Sequence, residues 1–115
     1  MRYLLMICTD EEALLARSPE ESAASMDEYA ALMDAMSTRG NLLGAERLRP
    51  TSDATSVRVR DGEVLTSDGP FAETKEQMGG YFLVECDDLD QAIELASKIP
   101  TARDGVVEVR PVWDM

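Results

Sequence analysis

From Arg2 to Cys8 the chain is apolar at every second position on both faces, with Tyr3, Leu5 and Ile7 alternating with Leu4, Met6 and Cys8. That pattern predicts a strand covered on both sides. Thr9–Arg17 reads as an acidic connector. A helix then opens at Ser18, which can cap it, with Pro19 at the first helical position and Glu21 completing a Ser-x-x-Glu capping box. Met26, Tyr29, Ala30, Met33 and Met36 recur at helical spacing and define one apolar face. Gly40-Asn41 ends the helix.

Leu42–Leu48 reads as a second strand, stopped by Pro50, and Thr51–Ala54 as a polar loop. Ser56–Arg60 and Glu63–Ser67 flank Asp61-Gly62, a strong signal for a two-residue hairpin. Val57 and Val59 fall on one face of this hairpin, Arg58 and Arg60 on the other. Tyr81–Cys86 is a further strand apolar on nearly both faces, and Asp87 or Asp88 can cap a second helix. Leu89, Ala92, Ile93, Ala96 and Ile99 form that helix's buried stripe, and Pro100 stops it. After a loop at Thr101–Gly105, Val106–Val112 gives the last strand, with Glu108 and Arg110 opposite Val107 and Val109.

The order is β-α-β, a hairpin, then β-α-β. Without the hairpin this is the ferredoxin-like βαββαβ arrangement, an α+β fold. A chain of 115 residues forms one domain, spanning residues 1–115. Two helices cover only one face of the sheet they pack on, yet both faces are apolar. An uncovered apolar face needs a partner, and a homodimer closing sheet against sheet is the simplest one.

Charge narrows the function classes. The chain carries 23 acidic residues against 11 basic ones, a net charge of −12. Phosphate backbones and anionic lipid surfaces both select clustered Lys and Arg, so neither nucleic acid nor membrane is expected as a direct partner. There is no histidine, which excludes a Ser-His-Asp or Cys-His set built within the chain. No cofactor is expected. The two cysteines, the absence of a signal-peptide pattern and the lack of a membrane-length apolar run fit a cytoplasmic protein. Cys8 and Cys86 end strands expected to be adjacent and parallel, which would place the thiols near each other.

The segment Asp68–Tyr81 joins a turn signal, alternating charges and a double glycine before an apolar strand. Gly69 and Pro70 constrain the turn from opposite directions, one permissive and one fixed, and Asp68 can form an Asx-turn. Gly79-Gly80 fits a bulge or a close backbone approach. One reading is a shaped turn. The other is a loop that presents candidate catalytic residues Asp68, Glu73 and Lys75 at a cavity mouth, the carboxylates as bases and the ammonium as an anion stabiliser. Phe71, Tyr81 and Arg110 are the candidate ligand-binding residues, Phe71 serving alternatively to anchor the loop in the core. Asp68, Glu73 and Glu76 are a weaker candidate set for a hard cation.

Asp68-Gly69-Pro70-Phe71 and the following residues through Tyr81 also carry a resemblance. With Gly40-x-Leu42-x-Gly44-x-Glu46-x-Leu48, Asp88–Ala92 and Val107–Pro111, they make the chain similar to the YCII-related family, in its DGPF branch. The resemblance covers nearly the whole length. It implies a ferredoxin-like fold forming a dimeric α/β barrel, with a largely unassigned biochemical role. It also implies a regulatory setting, since DGPF-type genes often neighbour those of extracytoplasmic-function sigma factors. A His/Asp pair near the first helix is proposed for some members. Here the nearest equivalent of that histidine, counted back from Gly40, is Tyr29, and the pair does not carry over. The resemblance leaves two functions open: a small-molecule-binding protein, enzymatic or not, with a loop-lined or inter-sheet pocket, or a non-catalytic dimeric interaction module.

Overall fold

Strand β1 (Arg2–Asp10) takes the centre of the molecule, as its two-sided apolar pattern requires. In the computed structural model, which describes residues 1–115, it is flanked on one side by β5 (Glu76–Glu85) and on the other by β6 (Val106–Pro111). β2 (Leu42–Arg47) pairs with the outer edge of β5, giving a four-stranded sheet in the order β2-β5-β1-β6 with every neighbour antiparallel. This is the ferredoxin-like arrangement. Tyr3, Leu5 and Ile7 alternate into a core with Phe82 and Val84, covered by Met36 from α2 (Pro19–Thr38) and by Ala92, Leu95 and Ala96 from α3 (Leu89–Ser97). Leu5, Met36, Val84 and Ile99 are fully enclosed, and each such side chain contributes about 1.5–3 kcal/mol.

Local signals explain the element ends. The capping box forms as expected: Ser18 Oγ accepts from the Glu21 amide, and the Glu21 carboxylate accepts from that of Ser18. At the other end of α2, Gly40 has φ +80°, and the amides of Gly40 and Asn41 donate to Ser37 and Met36 carbonyls, a Schellman closure. Asp88 caps α3 through the Gln91 amide. Asp61 and Gly62 both have positive φ, as a type I′ hairpin turn demands.

The structure corrects several expectations, among them the buried stripe of α3, where Leu89 and Ile93 are exposed and Leu95 is buried instead. The stretch from Thr9 is not a connector: β1 runs on to Asp10, whose carboxylate caps a short helix α1 (Glu11–Leu15). The strand after the central segment starts at Glu76 rather than Tyr81, because the extension of β1 offers it a partner, pairing Thr9 with Gln77 and Asp10 with Glu76. Gly79 is the extra residue at the resulting register shift, between the Ile7–Gly80 and Cys8–Met78 pairs. At Gly80 a side chain would meet the Glu46 carbonyl oxygen at 2.9 Å, so both roles expected of the glycine pair occur. Finally, β1 and β5 are antiparallel, so Cys8 and Cys86 sit at opposite ends of the pair, ~20 Å apart along the strand.

The hairpin β3 (Thr55–Arg60) and β4 (Glu63–Asp68) forms a separate two-stranded sheet. Its base is held by the Gly69 amide donating to Ala54 O (2.7 Å) and by Ser56 Oγ donating to Gly69 O (2.8 Å). It projects from the domain, and the radius of gyration is 16.0 Å, against about 13 Å for a compact chain of this size. The far face of the main sheet carries Leu4, Met6, Tyr81 and Leu83, each half-buried. No helix is long and apolar enough to cross a membrane.

Candidate functional site

Burial along α2 falls from its C-terminal to its N-terminal half: Met36 is enclosed, Leu32, Met33 and Tyr29 are half-buried, and Met26 is 50% exposed. The cause lies in the sequence. Toward the N-terminal end, the helix face turned to the sheet carries Ser22 and Ser25, too small to fill the gap. A cleft of about 290 Å³ opens there. Ala45 and Arg47 of β2 with Gly80 and Phe82 of β5 form its floor, Ser22, Ser25, Met26, Tyr29 and Met33 one wall, and Leu14, Arg17 and Thr101 its end. Gly80, bare of a side chain, keeps the floor open as well as allowing β2 to approach.

Four polar contacts brace the rim. Glu11 accepts from the Thr51 amide (2.9 Å) and hydroxyl (2.6 Å), fixing α1 to the loop after β2. Arg17 pairs with Asp104 at 2.5 Å, and Arg103 with Glu28 at 2.7 Å. Tyr29 Oη lies 2.5 Å from Thr101 Oγ1, while its ring tilts against Phe82 with centroids 6.2 Å apart. The cleft is therefore lined by an aromatic pair, methionines, hydroxyls and two guanidinium groups. Such a set can hold and orient a small molecule of mixed polarity.

The residues singled out in the sequence fall elsewhere, with one exception. Asp68 ends β4, and Glu73 and Lys75 follow in the loop; all three are exposed, make no ion pair and do not line the cleft. Asp68, Glu73 and Glu76 do not converge into a cation site. Phe71 is 82% exposed, so it does not anchor the loop in the core; it borders a shallow hollow with Thr55, Ser56, Val57 and Arg58 at the hairpin base. Arg110 sits on the far face of the sheet, ion-paired with Glu108. Tyr81 borders the cleft, although alternation with buried Gly80 and Phe82 turns its side chain to the far face.

Both thiols are held toward their protonated form. Burial pushes the Cys8 thiol up, helped by the carboxylates of Glu108 and Glu76. Burial also raises Cys86, with Asp87, Glu85 and Asp88 adding to it and the N-terminal ammonium opposing. Neither is drawn toward the thiolate that redox or nucleophilic chemistry needs.

Sequence reasoning placed Tyr29 on the apolar face of the long helix, and that face borders the cleft there. It missed Arg17, Ser22, Ser25, Arg47 and Thr101. The available signal was Ser22, Ser25, Met26 and Tyr29 at spacings of three and four, a stripe of small and polar residues continuing the methionine face.

The whole chain, residues 1–115, matches the model of the YCII-related domain. An uncharacterized protein of Rhizobium meliloti (strain 1021) is 38% identical over 114 residues, covering 97% of this chain and 92% of the relative. With the ferredoxin-like sheet and the inserted hairpin, these matches lead to one conclusion: the chain belongs to the YCII-related family.

Proposed function

We propose that this YCII-related protein binds a small molecule in the cleft between the N-terminal half of α2 and the β2–β5 side of the sheet, and works as a homodimer closed through the far sheet face. The observation that carries the binding reading is the cleft itself: braced by four separate contacts yet unfilled by its own helix. Its volume lies at the small end of ligand pockets. Support for the dimer comes from the half-buried row Leu4, Met6, Tyr81 and Leu83, an apolar strip flanked by Glu46, Glu108 and Arg110. In this reading Asp68, Glu73 and Lys75 shape and solubilise the loop, and Tyr29 and the two arginines face the ligand.

Native mass spectrometry of freshly purified protein tests both halves. A retained small molecule that disappears in Ser25→Trp, with the dimer intact, supports the reading. A ligand that survives Ser25→Trp removes the cleft from it, and a monomer at micromolar concentration removes the dimer.

A second reading, a non-catalytic interaction module in the sigma-factor setting that the family resemblance implies, draws on the hairpin. Val57, Val59, Val64 and Leu65 are 46–68% exposed there. A protein partner whose capture is lost in Val59→Lys, with no retained small molecule, favours that reading.

A further inference from the structure

We infer that the cleft selects an organic anion, a carboxylate carried on a small apolar or aromatic body, with Arg47 as the group that receives the charge. The inference rests on the cleft being the binding site and adds the ligand's chemical class.

Charge inside the cleft runs opposite to charge on the molecule. In a chain of net charge −12, the lining includes Arg17 and Arg47 and a single acidic residue, Glu46. Strand alternation takes Glu46 out of play. It pairs with Tyr81 on the far-face register, whereas Arg47 pairs with buried Gly80 on the cleft register. No lining carboxylate therefore faces the cleft.

The two arginines differ in what they can still do. Arg17 is committed to Asp104 at 2.5 Å. Arg47 makes no ion pair; its one side-chain partner is the Met26 sulfur at 3.7 Å, a weak acceptor. Arg39, Arg58 and Arg60 also lack carboxylate partners, but none of them lines the cleft. A guanidinium with unused donors recognises carboxylate in a two-point geometry. The Ser22 and Ser25 hydroxyls, without partners in the chain, face the same space and can donate to the same anion. Beyond them, Phe82, Tyr29 and Met33 offer an apolar bed for the rest of the ligand.

Isothermal titration calorimetry with three matched probes tests this: 3-phenylpropionate, 3-phenylpropanamide and 3-phenylpropylamine. The acid is expected to bind at least about tenfold more tightly than the neutral amide, the value of one charge-assisted contact, and the amine most weakly. Arg47→Met should bring the acid down to the amide's affinity, and Arg47→Lys should restore part of the difference. Circular dichroism and a melting curve on each variant check that the fold is intact, as the exposure of Arg47 leads one to expect. Equal binding of acid and amide, or an acid preference that survives Arg47→Met, overturns the anion assignment while leaving the cleft as a binding site. Binding that leaves Met26 and Met33 methyl signals unmoved, or no binding by any probe at millimolar concentration, overturns the cleft reading and this inference with it.

Discussion

The two halves of α2 face the same sheet and do different work. Its C-terminal half is sealed: Met36 is enclosed, and a Schellman closure at Gly40 delivers the chain into β2. Its N-terminal half is held by a capping box and by rim contacts to Arg103 and Thr101, while the space beneath Ser22 and Ser25 stays open. One half gains stability from packing. The other is positioned by polar contacts, which fix a wall in place without filling the space in front of it. A binding site in a small domain needs that second kind of support, because packing density and an open pocket compete for the same volume.

The largest expected contrast sets these halves against each other. Met36→Ala should cost about 2–5 kcal/mol in a urea titration, and Ser25→Ala less than about 0.5 kcal/mol. Similar costs at the two positions would mean that the N-terminal half is packed after all. Next comes the floor. Gly80→Ala drives a methyl group toward the Glu46 carbonyl, and should cost about 1–3 kcal/mol by forcing β2 and β5 apart. An unchanged midpoint would show that the strands give way freely. Ser18→Ala should cost about 1 kcal/mol. Because the cap substitutes for packing at this end, hydrogen exchange should quicken over residues 22–26 and stay unchanged near Met36.

Much of this contrast was written in the chain, though unevenly. The core followed from period-two alternation in β1 and from Ala92 and Ile99 in and after α3. Hydrophobic pattern and core position are the same physical fact. Helix ends were legible because Ser18, Pro19, Asp88 and Gly40 each satisfy a specific backbone need. The cleft was harder to read, since it is made by what Ser22, Ser25 and Gly80 lack. Its charged members, Arg17 and Arg47, lie on a connector and an edge strand that meet only in three dimensions. Conversely, Asp68–Lys75 is conspicuous in sequence because a turn and a projecting hairpin need unusual residues. The thiols illustrate a direction error: correct strand adjacency with the wrong sense moved Cys86 from beside Cys8 to the opposite end of the sheet.

The smallest expected effect concerns those thiols. Both are neutral in the folded and unfolded chain well below their ordinary value of 9.0, and both are raised by folding. As pH climbs past 9.0, the unfolded chain loses its thiol protons first, so stability falls until the raised folded values are reached. Denaturation midpoints across this window should decline, and less steeply in Cys86→Ala. An equal slope in that variant would show that Cys86 is not desolvated by its burial.

Methyl resonances of the methionines test the account at its centre. The chain has 7, and they are well placed: Met26 and Met33 line the cleft, Met36 is enclosed beside it, and Met6 lies on the far sheet face. When 3-phenylpropionate is titrated into methyl-labelled protein, Met26 and Met33 should shift together and saturably, with Met6 unmoved. Shifts at Met6 with Met26 and Met33 silent would put the ligand on the far face and contradict the assignment of the cleft as the site.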